Sequence, residues 1–286
     1  MELNNDKLPI ILVFADDILI IAKTLEEVED IVKILKIELE KIGLEINNNK
    51  SQIMIREPMS DRNIPKEVLI NGETYEVVNT MRYLGTYLSE TLDRPQTSRK
   101  RCKLAIGSSK IMIEFLRKYK PNWNLAKLMY KTVISPAITY GLKTATLVKS
   151  NRKSITRYEM QILREMVKYC REKPKGRITA SKLLDGKTAV KKIRVMRINY
   201  WGHIQRRLEG HPLKIAEKIK CRKRKIGRPA KTWKAAIRED KNKLPNITDE
   251  DWNRIAKDKN ELKKQAEEIY KTIGSEEESE SGVDEE

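Results

Sequence analysis

The first part of the chain consists of short apolar runs separated by turn residues. Residues 10–22 contain two such runs, and Asp16 and Asp17 lie between them. Continuous runs rich in isoleucine and valine favour strands that are covered on both faces. We therefore predict a buried β-hairpin that carries two carboxylates at its tip.

An amphipathic helix is predicted directly after this hairpin. Apolar residues recur at three- and four-residue spacing from Leu25 to Ile42, which places them on one face of a helix. Thr24 and Glu27 fit a capping box at its start, and Gly43 suits the left-handed residue that ends a helix.

Further extended segments complete the first ninety residues. Strands are predicted on both sides of a turn at Asn47-Asn48-Asn49, and a short strand from Tyr83 to Leu88. Asn71-Gly72 tolerates the positive φ angles of a type I′ turn, so residues 68–78 are predicted to form a hairpin. The order strand, turn, strand, helix, strand, hairpin, strand resembles a split βαβ arrangement.

From about residue 98 the hydrophobic periodicity becomes helical. A loop is predicted at 171–177, because this stretch combines proline, glycine and charged residues. The predicted helices are 99–118, 125–134, 154–170, 180–184, 190–207 and a charged helix at 244–272. The predicted fold class is therefore α+β, with a mixed first part and a helical remainder.

The charge is distributed unevenly along the chain. The net charge is +18, but residues 1–92 carry 10 basic and 17 acidic residues, whereas residues 93–274 carry 49 basic and 17 acidic residues. Residues 275–286 carry seven acids and no base, which is typical of a disordered tail. Such a basic middle favours a nucleic-acid partner.

A membrane surface is the competing partner for a basic chain. No apolar segment reaches the length of a spanning helix, and no N-terminal signal peptide is evident, so we expect no membrane contact. Cys102, Cys170 and Cys221 are widely spaced, which indicates reduced thiols in an intracellular protein. His203, His211 and Cys221 do not have the spacing of a structural zinc site.

Asp16 and Asp17 are the candidate chemical centre. Adjacent carboxylates at the end of buried strands repel each other and lose hydration, so a hard cation would stabilise them. Mg²⁺ is bound by one or two carboxylates together with substrate phosphates, and two such ions can support phosphoryl transfer. A solvated acidic turn is the alternative interpretation.

Four ordered motifs connect the chain to a known family. Phe14-Ala15-Asp16-Asp17 resembles the Tyr/Phe-x-Asp-Asp hairpin of reverse transcriptases. The other three matches are Gly43-Leu44-Glu45-Ile46-Asn47 leading to Lys50-Ser51, then Tyr83-Leu84-Gly85, then a basic region with Trp201-Gly202-His203-Ile204, Gly227-Arg228-Pro229 and Trp233. Together they resemble the C-terminal part of a non-LTR retrotransposon reverse transcriptase, an RNA-directed DNA polymerase.

The resemblance implies roles for particular residues. Asp16 and Asp17 would be catalytic ligands of Mg²⁺, and Lys50 would lie near the incoming nucleotide. Tyr83, Leu84 and Gly85 would form a primer grip. A polar turn at Lys50 and an aromatic strand at Tyr83 that packs on the helix are the structural alternatives.

The resemblance also implies a domain order. A partial palm with an antiparallel sheet would occupy residues 1–92, and a helical thumb residues 93–172, where basic residues track the phosphates of template and primer. A basic nucleic-acid-binding region at 173–245 would precede the charged helix and acidic tail at 246–286. A bundle with solvated lysines is the alternative for the thumb.

Residues 218–234 hold nine basic residues and no acid. This segment suits phosphate binding, nuclear import or insertion into an A·T-rich minor groove, and a solvated run is the alternative. We expect a nuclear protein. The aromatic residues of Tyr200-Trp201-Gly202-His203 suit either stacking on exposed bases or packing in a small core, and we favour the core for Trp201. The candidate nucleic-acid-binding residues are Arg222, Lys223, Arg224, Lys225, Arg228 and Lys231.

In the family, a third palm carboxylate and the fingers precede the Asp-Asp hairpin. We therefore expect a fragment that binds RNA and DNA but does not polymerise alone, and that depends on a missing N-terminal half. A non-enzymatic nucleic-acid-binding protein derived from a retroelement is the second hypothesis. An unrelated metal-dependent phosphotransferase is the third.

Overall fold

The structure is a computed structural model that describes residues 11–55, 64–89, 95–174, 178–219 and 231–271. The chain divides into two units, Met1–Asp93 and Arg94–Glu286. The fold is α+β and predominantly helical, with small sheets. None of the helices in the described ranges is long and apolar enough to cross a membrane.

The first unit carries the strands and one long helix. A short 3₁₀ helix, Asn48–Lys50, precedes the third strand. The elements are β1 (Ile11–Phe14), β2 (Asp17–Ile20), α1 (Leu25–Glu40), β3 (Gln52–Ile53), β4 (Glu67–Ile70), β5 (Glu73–Val77), β6 (Thr80–Tyr83) and β7 (Thr86–Ser89).

The strands of the described residues form three separate sheets, of order β1-β2, β3-β5-β4 and β6-β7. The prediction of one antiparallel sheet was wrong, because β3 pairs in parallel with β5 and the other sheets are isolated hairpins. The predicted strand at 52–55 is shorter, since only Gln52 and Ile53 have ladder partners, Glu76 and Val77.

Local signals fixed both ends of α1. Thr24 Oγ1 accepts a hydrogen bond from the Glu27 N–H at 3.3 Å, and Glu27 Oε2 accepts one from the Lys23 N–H at 2.8 Å. The predicted cap is confirmed, although the second amide belongs to Lys23 rather than to Thr24. Gly43 has a φ of +73°, as the predicted left-handed stop requires.

Two further turns use positive φ angles. Asn71 and Gly72 have φ values of +50° and +81°, which confirms the predicted hairpin between β4 and β5. Leu84 and Gly85 also have positive φ values, and they separate β6 from β7. The predicted single strand from Tyr83 to Leu88 was therefore wrong, because the chain reverses at Leu84-Gly85.

The core of the first unit is small, and the β1–β2 hairpin lies largely outside it. The buried residues are Val32, Val68, Ile70 and Tyr75, and only Ile20 of the hairpin packs against them. Val13 and Phe14 are 65% and 63% exposed. The prediction of a buried hairpin was wrong, because the two strands pair only with each other among the described residues and all but Leu19 and Ile20 are exposed.

The second unit is helical in all its described parts. A π-helical turn, Tyr130–Ile134, joins its second and third helices, and a 3₁₀ turn, Glu268–Tyr270, ends it. The helices are α2 (Pro95–Tyr119), α3 (Trp123–Met129), α4 (Ser135–Thr139), α5 (Lys149–Tyr169), α6 (Ala180–Leu183), α7 (Ala189–Gln205), α8 (Pro212–Lys218), α9 (Trp233–Lys241), α10 (Asp249–Ile255) and α11 (Lys259–Glu267).

Helices α3 and α4 form one helical run with a wider turn between them. The Ser135 N–H donates to the Tyr130 carbonyl, five residues earlier. Pro136 follows, and proline has no N–H and crowds the carbonyl four residues before it. The π turn accommodates this proline, so the predicted helix at 125–134 continues to Thr139.

The second unit contains two apolar cores that meet at α7. Ala189, Val190 and Ile193 belong to the first core, with residues of α2 to α6. Ile198 and Trp201 belong to the second core, with α9, α10 and α11. Helix α7 therefore connects the three later regions defined from the sequence, which are 93–172, 173–245 and 246–286.

The predicted helix at 244–272 was wrong as a single element. Thr248 caps α10 in a reciprocal capping box with Asp251, and Asp258 caps α11 through the amides of Asn260 and Glu261. Each cap starts a new helix, so the chain turns between them. The predicted acidic tail at 275–286 lies outside the described residues.

Candidate metal and nucleic-acid sites

Asp16 and Asp17 lie at the tip of the β1–β2 hairpin. Phe14 pairs with Asp17, so Ala15 and Asp16 are the two turn residues. Ala15 has a φ of +48°. A positive φ at the first turn position is typical of a type II′ turn, where glycine is the usual residue. Alanine is strained there, and such strain is found at functional sites in other proteins.

Both aspartates are exposed to solvent. The expectation of desolvated carboxylates was therefore wrong, because the strands beside them are uncovered. Exposed carboxylates are accessible to an ion that arrives with substrate phosphates. In the described ranges no group of three or more His, Cys, Asp or Glu residues is arranged to hold a metal. These two acids fit Mg²⁺ as a partial ligand set that other oxygens complete.

Lys50 ends the 3₁₀ turn before β3. Its N–H donates to Asn47 Oδ1 at 3.2 Å, and its side chain is exposed. Tyr75 on β5 holds this turn, because its hydroxyl donates to Asn48 Oδ1 at 3.0 Å. Within the described residues no hydrogen bond or ion pair joins Lys50 to Asp16 or Asp17.

Glu73 joins this corner to helix α1. The Tyr75 hydroxyl lies 3.2 Å from Glu73 Oε2, and Lys36 Nζ lies 2.5 Å from the same oxygen. The hydrogen bond from Lys36 lowers the pKa of the Glu73 carboxyl below its ordinary value. The turn that carries Lys50 is therefore connected to α1 through β5.

Tyr83, Leu84 and Gly85 lie together in the β6–β7 hairpin. Tyr83 pairs with Thr86, and Leu84 and Gly85 are the turn residues, with φ values of +46° and +71°. All three predicted primer-grip residues are partly buried. Leucine is unusual at a positive φ, so this turn, like that at Ala15, carries backbone strain.

The predicted nucleic-acid-binding residues fall mainly outside the described ranges. Lys231 is described, and its ammonium group pairs with Glu239, which also lies 3.1 Å from Arg152. Burial raises the pKa of the Glu239 carboxyl, but Lys231 and Arg152 outweigh burial and leave this pKa below its ordinary value. The residues outside the described ranges are Arg222, Lys223, Arg224, Lys225 and Arg228.

Residues 2–88 match the family model of reverse transcriptase (RNA-dependent DNA polymerase). The matched segment contains Asp16, Asp17, Lys50 and the β6–β7 turn, and it ends inside β7. The second unit lies outside the match. No curated protein and no solved structure matches the chain significantly.

The Trp201-Gly202-His203-Ile204 motif lies near the end of α7. Trp201 and Ile204 are buried, which confirms the prediction of a core tryptophan. A Cβ atom on Gly202 would clash with Leu262 Cδ2, so the glycine lets α7 and α11 approach closely. Lys241 Nζ lies 3.7 Å from the centroid of the Trp201 ring, which is a cation–π contact.

Two buried acids hold the second unit together. Glu159 Oε1 accepts from the Tyr130 hydroxyl at 2.5 Å and from the Ala189 N–H at 2.8 Å, at the start of α7. Arg197 Nη1 lies 2.5 Å from Asp240 Oδ2. Burial raises the pKa of Asp240, against the opposing effect of its arginine partners.

The described cysteines, Cys102 and Cys170, are free and buried. Burial, reinforced by the charge of Glu159, raises the pKa of the Cys102 thiol to about 12. A thiol with such a pKa is protonated at neutral pH, and the thiolate is the reactive form. Cys102 is therefore a packing residue rather than a nucleophile.

Aromatic and basic side chains from three parts of the second unit come together at the end of α7. The base-stacking alternative for the aromatic residues at 200–203 did not anticipate that Lys143 and Trp233 join them. Tyr200 and His203 lie on one face of the helix, beside Lys143, Arg207 and Trp233. The available signal was the three-residue spacing between Tyr200 and His203, which places both rings on one helical face. We name these five residues the Tyr200 patch.

Proposed function

We propose that this chain is the C-terminal part of a non-LTR retrotransposon reverse transcriptase, and that it carries the catalytic Asp-Asp hairpin and binds template and primer. The supporting observation is that the segment matching the reverse transcriptase family places Asp16 and Asp17 at the exposed tip of a strained hairpin. Both residues are adjacent at this turn, so one ion bound there would lie near both carboxylates.

Asp16 and Asp17 would hold Mg²⁺ in this function. When bound, the ion supplies charge neutralisation at the phosphates of the nucleotide and the primer. The chain's own contribution is positional, because the β1–β2 ladder ends at Phe14 and Asp17 and so places Asp16 in the turn beside Asp17. Their exposure leaves room for a nucleotide beside them.

Other residues would orient the substrates. Lys50 would place a cation near the triphosphate, and the turn at Tyr83-Leu84-Gly85 would hold the primer terminus. The second unit would contact phosphates through its basic helices, because residues 93–274 carry 49 basic and 17 acidic residues. The segment 222–231 would add phosphate contacts and a nuclear import signal.

A second polypeptide segment would complete the site. The apolar side chains of β1 are exposed, and within the described residues this strand pairs with β2 alone. A missing N-terminal polymerase half would cover these faces and add a third carboxylate. We therefore propose that this chain does not extend a primer by itself.

Mn²⁺ is a suitable probe, since it accepts oxygen ligands like Mg²⁺ and broadens nearby NMR signals. The full chain would be labelled with ¹⁵N and titrated with Mn²⁺ in the presence of a template-primer and a deoxynucleotide. We expect broadening of the amide signals around Ala15 and Ile18. Asp16→Asn should remove it, and Asp30→Asn, an exposed acid on α1, should not.

Primer extension on an RNA template tests the catalytic part. We expect no product from this chain alone at any Mg²⁺ concentration. Robust extension that Asp16→Asn abolishes would show that the chain is a complete enzyme. If Mn²⁺ did not broaden the hairpin signals in the presence of template-primer and deoxynucleotide, the proposed metal site would be contradicted.

A second candidate is a non-enzymatic nucleic-acid-binding protein derived from such an element. The observation that favours it is the basic charge of residues 93–274, which lie wholly outside the matched segment. Both candidates require affinity for a duplex that falls steeply as salt rises. Affinity that hardly changes with salt would argue against a phosphate-dominated interface.

A further inference from the structure

We propose that the Tyr200 patch is a stacking site for unpaired bases of single-stranded nucleic acid. The patch consists of Lys143, Tyr200, His203, Arg207 and Trp233. This inference rests on the proposed nucleic-acid binding by the second unit, but it does not require polymerisation. Its site is separate in sequence from the Asp-Asp hairpin and from the basic segment 220–230.

The ring geometry provides the first support. The Tyr200 and His203 rings have centroids 6.1 Å apart and planes inclined by only 13°. The Trp233 ring meets Tyr200 edge-on at 6.1 Å, with an angle of 75°. All three side chains are partly exposed. These three rings form a partly exposed aromatic cluster, against which bases can stack.

Cations border these rings. Lys143 Nζ lies 4.6 Å from the centroid of Tyr200, and Arg207 Nη2 lies 3.0 Å from His203 Nε2. Burial and the charge of Arg207 lower the pKa of His203 below its ordinary value, which favours the uncharged form of its ring. The patch therefore combines neutral rings for bases with two cations for phosphates.

The inner side of the patch is rigid. Trp201 and Ile204, next to the patch residues on α7, are buried. The Trp233 Nε1–H donates to the Lys143 carbonyl at 3.0 Å, which ties α9 to the loop that carries Lys143. A site that is already ordered loses little conformational entropy when it binds a flexible strand.

The charge of the second unit favours nucleic acid as the occupant. Residues 93–274 carry 49 basic and 17 acidic residues, and Lys143 and Arg207 of the patch belong to this range. The phosphates between stacked bases would meet this positive charge, which favours nucleic acid over a protein partner.

Fluorescence anisotropy with the full chain tests the proposal. The probes are a labelled 12-nucleotide uridine strand, the thymidine strand of equal length, and a 12-base-pair duplex. We expect Tyr200→Leu to weaken binding of the single strands roughly tenfold, in the range known for one base–aromatic stack, and to change duplex binding less than twofold. The RNA and DNA strands distinguish the two sources of unpaired bases.

Matched variants separate stacking from charge and from folding. Tyr200→Phe keeps the ring and should retain wild-type affinity. Tyr119→Leu removes an exposed tyrosine on α2 and should have no effect. Lys143→Gln should reduce the salt dependence of single-strand binding by about 0.7 in the log–log slope, whereas Tyr200→Leu should leave that slope unchanged. Circular dichroism confirms that each variant is folded.

The outcomes are distinguishable. Unchanged single-strand affinity in Tyr200→Leu would overturn the proposal, and so would an equal loss for duplex and single strand. If Tyr200→Phe failed to rescue binding, stacking would not be the cause. If the wild-type chain bound none of the three probes, the nucleic-acid part of the proposed function would fail as well, whereas the Mn²⁺ result at the hairpin would be unaffected.

Discussion

At Gly202 the lack of a side chain allows α7 and α11 to touch. The Leu262 side chain occupies the space that a Cβ atom would need, and Arg206 Nη1 would lie 3.2 Å from that atom. Leu262 is itself buried, so it has little room to move. The glycine thus determines how closely the second core packs.

Replacing this glycine should destabilise the protein. We expect Gly202→Ala to lower the free energy of unfolding by about 1–3 kcal/mol, because overpacking forces buried side chains from their rotamers. Urea denaturation followed by circular dichroism measures the change. Gly107→Ala is the matched control, since nothing lies within 4 Å of the new Cβ in α2.

The control substitution should change the free energy of unfolding in the opposite direction. Alanine is favoured over glycine inside a helix by about 1 kcal/mol, so Gly107→Ala should stabilise the protein slightly. Equal effects of the two substitutions would show that helix propensity, and not contact with Leu262, determines the role of Gly202.

Single residues were predictable where the signal is local. The cap at Thr24, the stop at Gly43 and the turn at Asn71-Gly72 depend on neighbours within a few positions, and all three were predicted correctly. The exposure of Asp16 and Asp17 was not predictable in this way. It depends on which layers cover the hairpin, and a pattern of apolar residues does not contain that information.

At the scale of elements, one ion pair joins α7 to α9. Arg197 and Asp240 are both buried, and Arg197 Nη2 also donates to the Ala145 carbonyl at 3.1 Å. The pair therefore connects two helices and the loop before α5. Arg194 Nε, 3.8 Å from Asp240 Oδ1, adds a second cation.

Removing the acid should be costly. We expect Asp240→Asn to lower the free energy of unfolding by about 3–5 kcal/mol, because it leaves buried guanidinium groups without their counter-charge. Glu38→Gln, which removes an exposed pair with Lys41, should have little effect. Chemical denaturation of both variants in the same buffer measures their free energies of unfolding. A similarly small decrease in both variants would show that the buried ion pair contributes little to stability.

Element boundaries were the least predictable part of the helical unit. The division of 244–272 into α10 and α11 had a sequence signal, since Thr248 and Asp258 are both good caps, but apolar spacing alone extends through them. The sequence gives a weaker indication of the π turn before Pro136. Proline predicts a break, whereas the wider turn let the helix continue.

At the scale of the molecule, the chain divides into the units Met1–Asp93 and Arg94–Glu286, and the first of them is acidic whereas residues 93–274 are strongly basic. The sequence did not predict that α7 connects the two cores of the second unit. Packing between α7, α9 and α11 joins residues that are distant in the sequence, and such packing leaves no local pattern. The match of residues 2–88 to the reverse transcriptase family agrees with the resemblance drawn from the Asp-Asp motif.

The second unit should fold without the first. It contains two cores of its own, whereas the first unit buries few apolar side chains. We expect residues 94–286 to show helical circular dichroism and a urea midpoint close to that of the helical signal of the full chain. The control is the fragment 94–186, which lacks α7 and the Ala189 N–H that donates to Glu159. We expect this shorter fragment to be unfolded. A 94–286 fragment without cooperative unfolding would contradict this expectation.

The uncovered β1–β2 hairpin also affects behaviour in concentrated solution. Its outer edges have no ladder partner among the described residues, and its side chains are apolar. Such edges are templates for strand exchange between copies, which leads to fibrils. Asp16 and Asp17 add like charges at one end of every copy, so stacked hairpins would repel each other there. Charge neutralisation by acid or divalent salt should therefore promote fibril formation, which gives the same two carboxylates a protective role.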